Sequence, residues 1–151
     1  MDRLEINAYT DGSCLGNPGV GGYAAILKAK ESERICVGYS KNHKETCNRM
    51  ELMAVINVVD WCNKVQKQPC KIIVNTDSKY LVNCSAHKRS WLTSDERPNN
   101  DLWLELIKKG LQGKHFIQFV KLAGQSGHEL NERADKLAKE QAVKARHEIY
   151  G

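Results

Sequence analysis

The sequence predicts one α/β domain built on a five-stranded mixed sheet, three antiparallel strands followed by parallel ones, with helices flanking the sheet. Two observations carry this. The first third of the chain reads as three successive strands with short connections, which favours an antiparallel meander. The remainder alternates helix and strand, which favours parallel pairing through helical crossovers. At 151 residues, with no repeat, linker or low-complexity segment, the chain has the length of a single domain. The domain is expected over residues 1–146, with 147–151 a frayed C-terminal tail.

The elements follow in order. In "RLEINAYT", Leu4, Ile6 and Ala8 share one face, and Glu5, Asn7 and Tyr9 the other. A glycine-rich loop, "GSCLGNPGVGG", holds the turn signal Asn17-Pro18-Gly19. Two more strands follow, "YAAILKAK" and "RICVGYSK". "TCNRMELMAVINVVDWCNKV" reads as a helix capped by Thr46, apolar almost all round from Leu52 to Val59 and so buried on more than one side. "KIIVNT" is β-branched and continuous, as in a strand covered on both faces. A helix starts at Asp77 or Ser78. The polar stretch "SAHKRSWLTSDERPNN" reads as a loop, "DLWLELIKKGL" as a helix and "HFIQFVKLA" as the last strand. After "GQSGHEL" comes a final helix with Leu130, Ala134, Leu137, Ala138 and Ala142 at helical spacing.

Composition narrows the function classes. The net charge of +5 is compatible with a polyanionic partner without requiring one. Charges in the first ten residues exclude a signal peptide there, and no apolar run reaches membrane-span length. A cytoplasmic protein with no membrane partner is expected. Cys14, Cys36, Cys47, Cys62, Cys70 and Cys84 form no CxxC pair, which disfavours a zinc site and points to reduced thiols.

Four acids stand out by position. Asp11 is expected to end the first strand and Asp77 the fourth. If those strands are parallel neighbours, both carboxylates lie at the sheet edge where open α/β sheets bind ligands. Close carboxylates repel and need a cation, and an all-oxygen set suits Mg²⁺ or Mn²⁺. Glu51 precedes the apolar run of a buried helix, where an unpaired charge is costly. Asp135 lies early in the last helix, beside its core-facing residues. Each acid also has an ordinary reading: a turn residue for Asp11, a cap for Asp77, a solvated helix position for Glu51 and Asp135.

Taken together, "TDGSCLGNPGVGGYAAIL", "NRMELMAVI", "TDSKYLV" and "AGQSGHELNERADKLA" resemble, in order and over nearly the whole chain, the motifs of the type 1 ribonuclease H family. The resemblance implies a ribonuclease H-like fold and a metal-dependent endoribonuclease. Its substrate would be the RNA strand of an RNA–DNA hybrid duplex, cut to 5′-phosphate and 3′-hydroxyl products. It places the catalytic acids at Asp11, Glu51, Asp77 and Asp135, holding two Mg²⁺ ions, with Mn²⁺ a possible substitute. It implies RNA-strand contacts at Cys14, Asn17 and Asn48 and a substrate contact at Lys79. It implies a pocket for a DNA-strand phosphate at Lys44, Thr46 and Asn99. The glycine loop would let the nucleic-acid backbone come close. A monomer is expected.

The sequence departs from the family pattern in three places. Gln125 stands where a mobile histidine is usual; it can orient water or phosphate but cannot shuttle a proton near neutral pH, so slower turnover is expected. His128 is a partial substitute or a packing residue. The basic protrusion of many members is short here, leaving His87, Lys88 and Arg89 opposed by Asp95 and Glu96, with Trp91 an anchor. Weak hybrid affinity follows unless Lys108, Lys109 and Lys114 replace the protrusion. Cys47 stands where an amide touching the substrate is common, and Lys79 where a neutral residue is. The rival readings are a hybrid-binding module with weak or no catalysis, another nuclease of the same fold, and a cysteine-rich metal or redox protein.

Overall fold

The computed structural model describes residues 4–85, 98–123 and 128–151. Strands β1 (Leu4–Gly16), β2 (Gly19–Ala29) and β3 (Ser32–Tyr39) lead into helix α1 (Cys47–Val65). Strand β4 (Cys70–Thr76), helices α2 (Lys79–Ser85) and α3 (Asn100–Gly113), strand β5 (Phe116–Lys121) and helix α4 (Glu129–Tyr150) complete the order. The sheet runs β3-β2-β1-β4-β5, with β1–β2 and β2–β3 antiparallel and β1–β4 and β4–β5 parallel. The mixed sheet read from the sequence is the one observed.

Two expectations are corrected. The glycine-rich stretch is not a loop: β1 continues to Gly16 and β2 begins at Gly19, paired down to Gly16↔Gly19. Its small residues still accept strand geometry because a neighbouring strand supplies their hydrogen bonds. The residues expected to fray continue α4 to Tyr150, where the Gly151 N–H donates to the His147 carbonyl. Among the described residues, no helix is long and apolar enough to cross a membrane.

Helix α1 is the centre of the core. Met50, Leu52, Ala54, Val55, Val58, Val59 and Cys62 are fully buried there. Each of the Met, Leu and Val side chains contributes about 1.5–3 kcal/mol relative to exposure. Thr46 caps the helix, its Oγ1 accepting from the Arg49 N–H at 3.2 Å. Helix α4 packs through Ala134, Ala138, Ala142 and Ala145, small enough to bring its backbone onto the sheet.

Adjacent residues of a strand face opposite sides of its sheet. A Cβ on Gly21 would meet Met50 of α1 at 2.6 Å; one on Gly22 would meet Ala142 and Gln141 of α4. The two helices therefore sandwich β2 from opposite faces. Gly21 and Gly22 thus serve helix packing.

Candidate active site

The parallel pairing of β1 with β4 builds the site. Its last rung is Tyr9↔Asn75. Asp11 and Asp77 each lie two residues beyond that rung, so the register brings both carboxylates to the same sheet edge. Asp11 does not end its strand, as the sequence suggested; it lies mid-strand on the β2 side, opposite Ala24. It is where the parallel ladder, not the strand, has ended. Ser78 caps α2, its Oγ accepting from the Leu81 N–H at 3.2 Å, which leaves Asp77 free of capping.

Glu51 comes from the second turn of α1. It joins Asp11 and Asp77 in a cluster whose carboxylate oxygens lie within 4.8 Å of one another. Asp11 is 6% exposed and Glu51 8%, whereas Asp77 opens to solvent. Burial pushes the Asp11 carboxyl up to about 7, helped by the nearby Asp135 and Asp77 carboxylates and partly opposed by Glu51. Burial and then the Asp11 charge hold Glu51 well above the usual carboxylate range. One oxygen, Glu51 Oε2, is buried with no hydrogen-bond partner. An orphaned carboxylate oxygen beside two further carboxylates fits a hard divalent cation, which takes oxygen ligands and cancels the repulsion.

Asp135 stands beside this cluster rather than within it. It is near enough to help raise the Asp11 carboxyl, while its Oδ2 receives Lys139 Nζ at 2.9 Å. Gln125 lies outside the described residues, as do His87, Lys88, Arg89, Trp91, Asp95 and Glu96. His128 precedes the first turn of α4 and makes no side-chain cap bond. Its ring stacks on Tyr9 of β1, centroids 4.8 Å apart and planes 24° apart.

The expected substrate-contact residues fall into two groups. Cys14, Asn17, Asn48 and the flanking Cys47 gather where the hairpin meets the start of α1. Asn17 Oδ1 accepts from the Cys47 N–H at 3.4 Å. Gly19 and Glu45 exchange two backbone bonds of 2.9 and 2.8 Å. Cys14 is half-buried, while Asn17 and Asn48 are exposed. The second group joins Thr46 and Asn99, with Lys44 exposed two residues before Thr46. Lys79, exposed at the start of α2, is two residues from Asp77.

Sequence reasoning missed the residue that organises the second group. Arg49 bonds Glu45 through Nε at 3.2 Å, Asn99 Oδ1 through Nη1 at 3.3 Å and both Asp101 oxygens at 3.0 and 2.9 Å. Asn99 also donates to the Tyr80 hydroxyl at 3.1 Å, which receives Trp103 Nε1 at 2.9 Å. The available signal was spacing: Arg49 is three residues after the cap Thr46, on its face of the helix. Of the alternative basic surface, Lys109 is paired with Asp60 at 3.2 Å and Glu105 at 3.3 Å.

Comparison with known proteins agrees with this geometry. The profile of the RNase H family matches residues 3–143. A ribonuclease H of Novosphingobium aromaticivorans is 40% identical over 96% of this chain and 100% of its own length. One from Phenylobacterium zucineum is 43% identical over 89% of this chain and 88% of its own. Among solved structures, LC11-RNase H1 in complex with an RNA/DNA hybrid superposes with a TM-score of 0.71 at 21% identity, over 93% of this chain and 98% of that one.

Proposed function

The chain belongs to the RNase H family and hydrolyses the RNA strand of RNA–DNA hybrids; we propose that it does so at Asp11, Glu51, Asp77 and Asp135, with Mg²⁺, or Mn²⁺ in its place, held between them. The observation that carries this is the orphaned, buried Glu51 Oε2 within 4.8 Å of oxygens from Asp11 and Asp77. When bound, two divalent ions supply an acidified water and charge stabilisation for the leaving 3′ oxygen. Asp11 is influenced by Glu51, Asp77 and Asp135 alike, so it would hold metal together with each of them. Water attack on phosphorus with loss of the 3′ oxygen leaves a 5′-phosphate and a 3′-hydroxyl. Gln125 orients the water or phosphate through hydrogen bonds without carrying a proton.

Cys14, Asn17 and Asn48 face the RNA strand. Amides can both donate to and accept from the 2′-hydroxyl that distinguishes RNA in the wide minor groove. Lys44, Thr46 and Asn99, fixed by Arg49, hold a phosphate of the DNA strand, and Lys79 adds positive charge beside Asp77. The enzyme acts as a monomer. The test is cleavage of an end-labelled hybrid in Mg²⁺, Mn²⁺ or EDTA, with RNA–RNA and DNA–DNA duplexes alongside. Metal-dependent cutting of hybrid RNA, absent in Asp77→Asn, is expected; equal cutting by Asp77→Asn would overturn the assignment.

A further inference from the structure

We propose that Cys14 and Cys47 are a peroxide-sensitive thiol pair, closing reversibly to a disulfide that weakens hybrid binding. The two thiols come from different elements, β1 and the first turn of α1, which meet at Gly21: the point where its Cβ would stand is 2.6 Å from Met50, one turn along α1 from Cys47, and 3.2 Å from Cys14 Sγ. Their positions are fixed independently. Asn17 holds the Cys47 N–H, and the Gly19–Glu45 bonds tie the hairpin to the segment before α1. Cys14 Sγ lies in the small space above Gly21, 3.2 Å from where a Cβ would stand.

Exposure divides the labour. Cys47 is exposed and Cys14 half-buried, whereas Cys36, Cys62 and Cys70 are buried. Burial, with Cys47 as neighbour, pushes the Cys14 thiol up to about 12, which makes it the poorer first nucleophile. The Cys47 thiolate attacks one oxygen of hydrogen peroxide. The O–O bond breaks, sulfur is oxidised to sulfenic acid, and the departing hydroxide takes a proton to become water. Cys14 sulfur then attacks the Cys47 sulfur. The S–S bond forms as S–O breaks, and that hydroxide leaves as water with the Cys14 proton. Two thiols and one peroxide give one disulfide and two waters; an external thiol reverses it.

The effect on binding rests on the hybrid-facing role proposed above. Closure ties up the Cys14 sulfur and takes it away from that face. Its hydrogen bond to the RNA strand then goes unmade, and hybrid affinity falls on the order of tenfold.

The experiment treats the full chain with stoichiometric hydrogen peroxide, maps cross-linked peptides by non-reducing mass spectrometry, and measures hybrid binding in EDTA before and after dithiothreitol. A Cys14–Cys47 cross-link is expected, with a melting temperature raised on the order of 10 °C by loop closure. Binding should weaken on oxidation and recover on reduction, and Cys47→Ser should show no difference between oxidised and reduced samples. Absence of that cross-link, or an unchanged affinity once it has formed, overturns the proposal. Mapping and melting do not depend on cleavage, so failure of the hydrolase reading alone would leave the cross-link and its melting shift in place.

Discussion

The backbone of Glu51 lies directly against Gly12: a Cβ on Gly12 would stand 2.5 Å from the Glu51 nitrogen and 2.5 Å from the Met50 carbonyl carbon. That approach sets how near the Glu51 carboxylate comes to Asp11. Gly12 is therefore part of the site without offering it a functional group. Gly12→Ala should force α1 away from β1 at a cost of about 1–3 kcal/mol. Hybrid cleavage should fall far more than urea stability does. Cleavage within twofold of the parent would show that the spacing has slack.

The crowded acids make the metal-free protein pH-sensitive in a definite direction. Asp11 titrates at about 7 in the fold against an ordinary 3.8. Below the lower value the group is neutral in both states and carries no penalty. Between the two the unfolded chain ionises first, so stability is lost as pH rises, and above 7 the penalty is complete. Asp11→Asn should flatten that slope to the part buried Glu51 carries and raise metal-free stability by about 1–3 kcal/mol at pH 8. Urea melts in EDTA at pH 5 and pH 8 measure it.

Metal should restore what the repulsion takes away. Added Mg²⁺ should raise the melting temperature of the parent at pH 8 and leave Glu51→Gln much less affected, because it binds the folded state alone. Equal shifts in both would place the ion elsewhere.

Arg49 joins Thr46, Asn99 and Asp101 into one surface. Arg49→Ala should weaken hybrid binding several-fold. The stability change should be about 1–3 kcal/mol: the Asp101 pair is exposed and screened, but buried Glu45 loses the cation beside its carboxylate. A double-mutant cycle with Asp101→Ala should give a coupling below about 1 kcal/mol. A larger coupling would mean that Arg49 serves the fold before the substrate.

Gln125→His should raise turnover, since a histidine in that segment can accept and release a proton near neutral pH. Single-turnover and steady-state rates together separate faster chemistry from faster product release. No gain in either would remove this position from the reaction.

Much of the site was legible because its acids sit where patterns change. Asp77 ends a β-branched run and Glu51 opens an apolar one, so local sequence marks both. The parallel pairing of β1 with β4 entered the sequence reading only as a condition, which the observed ladder meets. The reach of β1 was not legible, because glycines that read as a loop are held straight by pairing with β2, a long-range bond. The purpose of Gly12, Gly21 and Gly22 was hidden for the same reason, since a missing side chain does not announce the helix it admits. Arg49 escaped notice because its partner Asp101 is remote in sequence and meets it only after α3 docks on α1.

The parallel partner of β1 lies far along the chain, while β2 and β3 follow it at once. A chain emerging from the ribosome can zip up the three-stranded meander from local contacts, but it must wait for β4 before Asp11 meets Asp77. The cation site is thus a late reporter of assembly, silent in the early hairpins. Helix α4, made last, closes over strands already in place and brings Asp135 to a cluster that is waiting for it.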